Sequence, residues 1–164
     1  MFFLVSDTSV LIDLERGDLL EAVFSSGMTF VVPDLLYERE LANDIGPYLR
    51  TLGLGVVSLS PQELQLAQQV SGERRGLSLP DCFALSCATR PNYRLVTGDG
   101  LLRKEAMKRL GEVYGLLWLL DQMHASGKVA PDLLATGLTT ISQHRTARLP
   151  ADEVQKRITA WTPN

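Results

Sequence analysis

Soft metal ligands and cross-links are nearly missing from this chain. Its 164 residues include two cysteines and two histidines. Cys82 and Cys87 stand five apart with no histidine nearby, which excludes a zinc site of the Cys/His type. It also excludes a disulfide-framed secreted domain, and both thiols read as small buried apolar groups in a reducing cytoplasm. His124 and His144 are isolated and read as surface or helix-end residues. No apolar run approaches the roughly 18 residues of a transmembrane helix, so no membrane partner is expected. The run Met1–Val5 breaks at Ser6 and Asp7, has no basic flank and is too short for a secretory core. A cytoplasmic protein is the expectation. Low-complexity tracts and internal repeats are absent. Apolar residues at 45% and charged residues at 21% exclude a disordered chain and suffice for one globular core.

Positive charge is scarce at the front. Residues 1–49 hold nine acidic residues against Arg16 and Arg39, a balance of −7; residues 50–164 hold 14 bases and 10 acids, a balance of +4. The total of −3 alone speaks against a general nucleic-acid binder. Its distribution fits either an acidic site facing a basic rim or merely solvated helix faces.

What is present is an alternation of strand and helix signals. Phe2–Ser6, Thr29–Val32, Gly55–Leu59 and Tyr93–Thr97 read as strands, with Glu112–Tyr114 as an edge strand. Helices are expected over Ser9–Leu14, from Asp18, from an Asp34 cap to about Asn43, and over Tyr48–Leu52. More are expected from a Ser60 cap and Pro61 to about Gly72, from Pro80, and through Leu102, Ala106 and Leu110. Leu116–Ala125, Pro131–His144 and Ala151–Trp161 complete the series. The alternation predicts an α/β fold of three layers, α/β/α, with a mainly parallel sheet of four to five strands and extra C-terminal helices. Residues 1–125 read as one domain, and 126–164 as a helical extension packed on it.

Acids recur where such a sheet binds ligands, at the carboxyl ends of its strands. Asp7 follows the first strand, Asp99 the fourth, Asp81 opens a helix, and Glu38 and Glu40 lie on the helix after the second strand. Each has a plain alternative: Asp7 as a cap, Asp81 at a helix dipole, Asp99 in a glycine turn, the glutamates in solvent. Together they point to one edge of the sheet. Clustered carboxylates repel unless a cation sits among them, and hard oxygen donors suit one or two Mg²⁺ or Mn²⁺ ions. Such ions activate water and stabilise the leaving oxygen of a phosphodiester. Thr97 can hold an acid by hydrogen bond, and Thr8 and Ser9 can do the same beside Asp7.

Four segments in order carry a resemblance. Asp7-Thr8-Ser9-Val10-Leu11-Ile12-Asp13, Val32-Pro33-Asp34 through Glu40-Leu41, Leu79-Pro80-Asp81-Cys82-Phe83-Ala84-Leu85 and Leu95-Val96-Thr97-Gly98-Asp99 resemble the acidic motifs of PIN domains. The resemblance covers about residues 1–125. Gly115-Leu116-Leu117-Trp118 and Arg148-Leu149-Pro150 resemble extensions of stand-alone members. It implies a divalent-metal-dependent endoribonuclease, a hydrolase of RNA phosphodiesters, with Asp7, Glu40, Asp81 and Asp99 as its catalytic, metal-binding acids. It also implies the toxin of a toxin–antitoxin pair, with an antitoxin protein as partner and a homodimer as a common state. Glu38 is the alternative second acid; Glu40 is favoured because it precedes Leu41, as the family acid often precedes a leucine.

Arg74, Arg75, Arg103, Lys104 and Lys108 are the candidate RNA contacts, with Lys104 and Lys108 on one helix face. Trp118 and Trp161 read as packing residues. The wide apolar stripe Leu116, Leu117, Leu119 and Leu120 raises a second reading, a partner-binding module with little nuclease activity. A haloacid-type phosphatase would want Asp-x-Asp at the first strand, and Asp7-Thr8-Ser9 lacks it.

Overall fold

The computed structural model describes residues 2–164; Met1, which opens the first apolar run, lies outside them. Four parallel strands form the sheet: β1 (Phe3–Ser6), β2 (Thr29–Pro33), β3 (Gly55–Val57) and β4 (Tyr93–Val96), in spatial order β3-β2-β1-β4. Central β1 is buried at Leu4, Val5 and Ser6, as a parallel strand covered on both faces must be. Phe3 pairs with Thr29 on one side and Tyr93 on the other. The α/β class and a sheet within the expected strand number therefore hold.

The fifth strand does not form. Tyr114 makes a single bridge to Val96, flanked by Gly111 in the left-handed conformation and by Gly115, which caps the next helix. Two bonds remain, Thr97 N–H to the Tyr114 carbonyl at 2.9 Å and Tyr114 N–H to Leu95 at 3.0 Å.

Helices α1 (Thr8–Arg16) and α2 (Leu20–Ser25) link β1 to β2. After β2, the single helix expected from an Asp34 cap is replaced. Pro33 holds the cap position, and α3 (Asp34–Leu36) runs into a π-helical turn over Tyr37–Leu41. Its mark is the Ala42 N–H donating to the Tyr37 carbonyl at 2.8 Å, an i→i+5 bond. The wider turn buries both Tyr37 and Leu41 and leaves Glu38, Arg39 and Glu40 exposed. Helix α4 (Gly46–Leu52) follows.

Helices α5 (Pro61–Glu73) and α6 (Leu79–Cys87) cross from β3 to β4. Each opens with a capping box, Ser60 with Glu63 and Ser78 with Asp81. Helix α6 is buried from Cys82 to Cys87, so both thiols are core groups as expected. Burial pushes their pKa values up to about 11 for Cys82 and about 12 for Cys87, leaving them unreactive. Helix α7 (Gly100–Leu110) follows β4, then α8 (Leu116–Ala125), α9 (Pro131–Gln143) and α10 (Ala151–Trp161). The α8 stripe is spent inward: Leu116, Leu119 and Leu120 are buried, Leu117 and Trp118 half-buried.

The C-terminal helices pack on the same body. Gly17 and Gly137 let α1 and α9 close up, since a Cβ on Gly137 would stand 2.8 Å from the Gly17 carbonyl oxygen. Arg157 on α10 forks onto both oxygens of Asp121 on α8, each at 2.8 Å. No helix of the described residues is long and apolar enough to cross a membrane.

Candidate active site

The strand order fixes where a site belongs. The chain runs outward from β1 through β2 to β3, then returns to lay β4 on the other side of β1. Ligands of open parallel sheets bind at such a reversal, outside the strand carboxyl ends. Asp7 leaves β1 at that crevice, and Thr97-Gly98-Asp99 leaves β4.

Asp7 is 3% exposed, as deep as the core leucines. Its Oδ1 accepts from the Val10 N–H at 3.1 Å, so it does cap α1. The Ser9 hydroxyl lies 2.9 Å from both carboxylate oxygens, and the Thr97 hydroxyl donates to Oδ2. Burial nevertheless outweighs these bonds; with the negative charge of Asp81 it raises the pKa of Asp7 to about 6. Thr97 also binds the second acid of the pair, accepting from the Asp99 N–H at 3.0 Å.

The outer acids share one pattern. Asp99 caps α7, with Oδ1 accepting from Leu102 N–H at 2.8 Å. Asp81 accepts from the Ser78 N–H on Oδ2 at 3.1 Å. Glu40 accepts from the Thr8 hydroxyl on Oε1 at 2.6 Å. Each thus spends one oxygen on a protein donor; Asp81 Oδ1, Asp99 Oδ2 and Glu40 Oε2 accept from no donor among the described residues. Burial holds Asp81 above its ordinary value against the Ser78 hydrogen bonds, and the charges of Asp99 and Glu40 add to the rise. Three of these acids also sit at helix N-termini, whose positive ends partly offset the repulsion.

One expectation changes here. Thr8 serves Glu40 and not Asp7. Glu38 is exposed with no hydrogen-bond partner among the described residues, whereas Glu40 is the glutamate whose charge Asp81 feels. The basic candidates also divide. Arg74 Nε is 2.7 Å from buried Glu105, which binds Arg109 at 2.7 Å as well. Arg74 is therefore a structural cation and not a ready phosphate contact. Arg103 donates to the Thr97 carbonyl at 3.0 Å, beside the acids. Arg75, Lys104 and Lys108 are exposed and enter no ion pair among the described residues.

Among the described residues, no three His, Cys, Asp or Glu side chains converge closely enough to hold a metal ion. The donor chemistry still fits a hard divalent cation. The set is all carboxylate, mutually repelling, with an unspent oxygen on each outer acid and no Lys or Arg side chain bonded into it.

A cleft of about 760 Å³ opens beside Ser9 and Asp99, between Tyr114–Trp118 and the linker from α9 to α10. Its walls lie far apart in sequence, so no spacing signal announces it; two of them are the Gly115–Trp118 and Arg148–Pro150 segments.

No curated protein matches the chain. A family model described as PIN domain matches residues 3–162. Members of this family are generally nucleases and typically use divalent metals. With that match running from β1 through α10 and acids gathered at the sheet reversal, the chain belongs to the PIN-domain family.

Proposed function

We propose that this chain is a divalent-metal-dependent endoribonuclease. Its main support is the gathering of Asp7, Glu40, Asp81 and Asp99 at the sheet reversal, the outer three each with an oxygen to spare. These four carboxylates would hold the cation. A bound Mg²⁺ or Mn²⁺ supplies a more acidic water and charge neutralisation for in-line attack on a phosphodiester.

The chain's own residues set up that chemistry. Thr97, Ser9 and Val10 hold both oxygens of Asp7 in fixed positions, so little reorganisation is needed on binding. Thr97 ties Asp99 to the same point through its N–H. Thr8 orients Glu40 from the exposed side. Arg103, next to Thr97, brings positive charge to the rim where a phosphate chain would lie. RNA is preferred over DNA on the family resemblance, and a cytoplasmic setting goes with it. A toxin paired with an antitoxin is the biological role the resemblance implies.

The test is cleavage of mixed single-stranded RNA with Mn²⁺. Cleavage that is lost with EDTA and in Asp7→Asn supports the proposal. Cleavage that survives both, or none from folded protein with Mn²⁺, sinks it. In the latter case a small co-purifying partner would favour the partner-binding reading.

A further inference from the structure

The cleft beside Asp99 has a chemistry that the acids do not use. One wall carries Trp118 and Tyr114, their ring centroids 4.4 Å apart and tilted by 43°. Tyr114 also lies under the Arg94 guanidinium at 5.0 Å, so Trp118 is the ring left to stack on something else. The opposite wall is the linker between α9 and α10, which carries Arg148. Arg103 and Arg16 complete a set of three guanidinium groups. Arg103 is held by the Thr97 carbonyl at 3.0 Å. Arg16 is steadied by Thr146 at 3.2 Å and Asp13 at 3.6 Å. Arg148 is exposed and enters no hydrogen bond or ion pair among the described residues.

An aromatic ring beside several guanidinium groups matches a nucleotide, with its flat base and its phosphate. A volume of about 760 Å³ falls in the range of small-ligand pockets. Base stacking on a side chain requires an unpaired base. A peptide partner would answer the apolar wall, but it would not need cations at the door of an acid cluster. The cleft runs into Ser9, Thr97 and Asp99, so an occupant there is continuous with anything cleaved at the acids.

We propose that this cleft holds one unpaired RNA nucleotide next to the scissile phosphate, its base on Trp118 and its phosphate on Arg103 and Arg148. This deepens the nuclease reading and rests on it for the word scissile. It makes the linker between α9 and α10 a wall of the substrate site.

The experiment measures binding of a fluorescein-labelled single-stranded RNA of about eight nucleotides to the full chain in EDTA, by anisotropy. Trp118→Ala is expected to weaken binding about 5- to 100-fold, the range of one lost base stack, with Trp118→Phe retaining most of it. Arg148→Ala, at an exposed position where misfolding is no concern, is expected to weaken binding several-fold. It should also flatten the salt dependence by about 0.7 of a logarithmic unit per logarithmic unit of salt, the share of one phosphate contact. Trp161→Phe, outside the cleft, should change nothing. With Mn²⁺, the Arg148→Ala variant should raise KM and leave kcat nearly unchanged. Cleft-dependent binding without metal-dependent cleavage would support the cleft and remove the nuclease reading. Metal-dependent cleavage with affinity and KM unmoved by Arg148→Ala and Trp118→Ala would overturn the cleft and leave the nuclease. Variants that lose a co-purified protein while RNA binding is unchanged would overturn it too, by assigning the cleft to a protein.

Discussion

The Thr97 hydroxyl donates to Oδ2 of Asp7 across 90 residues of sequence. Through the Thr97 Oγ1, the end of β4 holds the acid at the end of β1, and the same Oγ1 accepts from the Asp99 N–H.

Thr97→Val therefore leaves a buried carboxylate oxygen and a backbone N–H short of partners at nearly constant volume. The expected cost is about 1–3 kcal/mol in urea denaturation. Metal-dependent cleavage should fall as well, and Thr97→Ser should restore most of both. An unchanged denaturation midpoint in Thr97→Val would show that this bond does not organise the site.

Asp7 should make stability depend on pH in a direction opposite to that of a salt-bridged acid. Burial raises its pKa from 3.8 to about 6, so the folded state disfavours the ionised form. Its favourable contribution is complete below about pH 4 and is lost as pH rises through 6. The penalty at neutral pH is on the order of 3 kcal/mol. Asp7→Asn should thus gain Tm relative to the parent as pH goes from about 4 to 8, while losing activity. Mn²⁺ should raise the Tm of the parent more than that of the variant. A Tm difference flat across this range would contradict the assignment.

Glu40, tied to Thr8 at 2.6 Å, is expected to be the second acid. Cleavage assays of Glu40→Ala and Glu38→Ala should give a large loss only for the first. Thr8→Val should cause a smaller loss, because it loosens Glu40 without removing it. Loss in Glu38→Ala with activity kept in Glu40→Ala would reverse the assignment.

Gly137→Ala tests how the C-terminal helices dock. A new Cβ would meet the Gly17 carbonyl oxygen at 2.8 Å and Leu19 side-chain atoms at 2.6 Å and 2.8 Å. Since Leu19 is fully buried and the carbonyl is backbone, neither yields easily. Overpacking of this kind costs about 1–3 kcal/mol. A denaturation midpoint equal to the parent's would mean that α9 shifts freely on α1.

Local signals in the sequence reached far into this fold. Ser60-Pro61 and Pro80 announce α5 and α6, because a proline in the first turn of a helix is a local signal. Three of the four acids were legible for the same reason, since each follows a strand or opens a helix. Longer-range effects were not legible. Whether the Tyr37 carbonyl bonds four or five residues on is not reported by any local pattern in the sequence. Thr8 and Ser9 are neighbours, yet they bind different acids because α1 turns them apart. Arg74 reads as free in the sequence and finds its partner Glu105 31 residues away. The cleft, built from α1, α8 and the linker before α10, left only scattered hints.

In the proposed reading, Asp7, Glu40, Asp81 and Asp99 form one divalent-cation site. Diffraction from crystals soaked in Mn²⁺, with data at the manganese edge, tests it most directly. The predicted result is an anomalous peak bounded by these four carboxylates and absent in Asp7→Asn. A peak elsewhere, or none at saturating Mn²⁺, would contradict it.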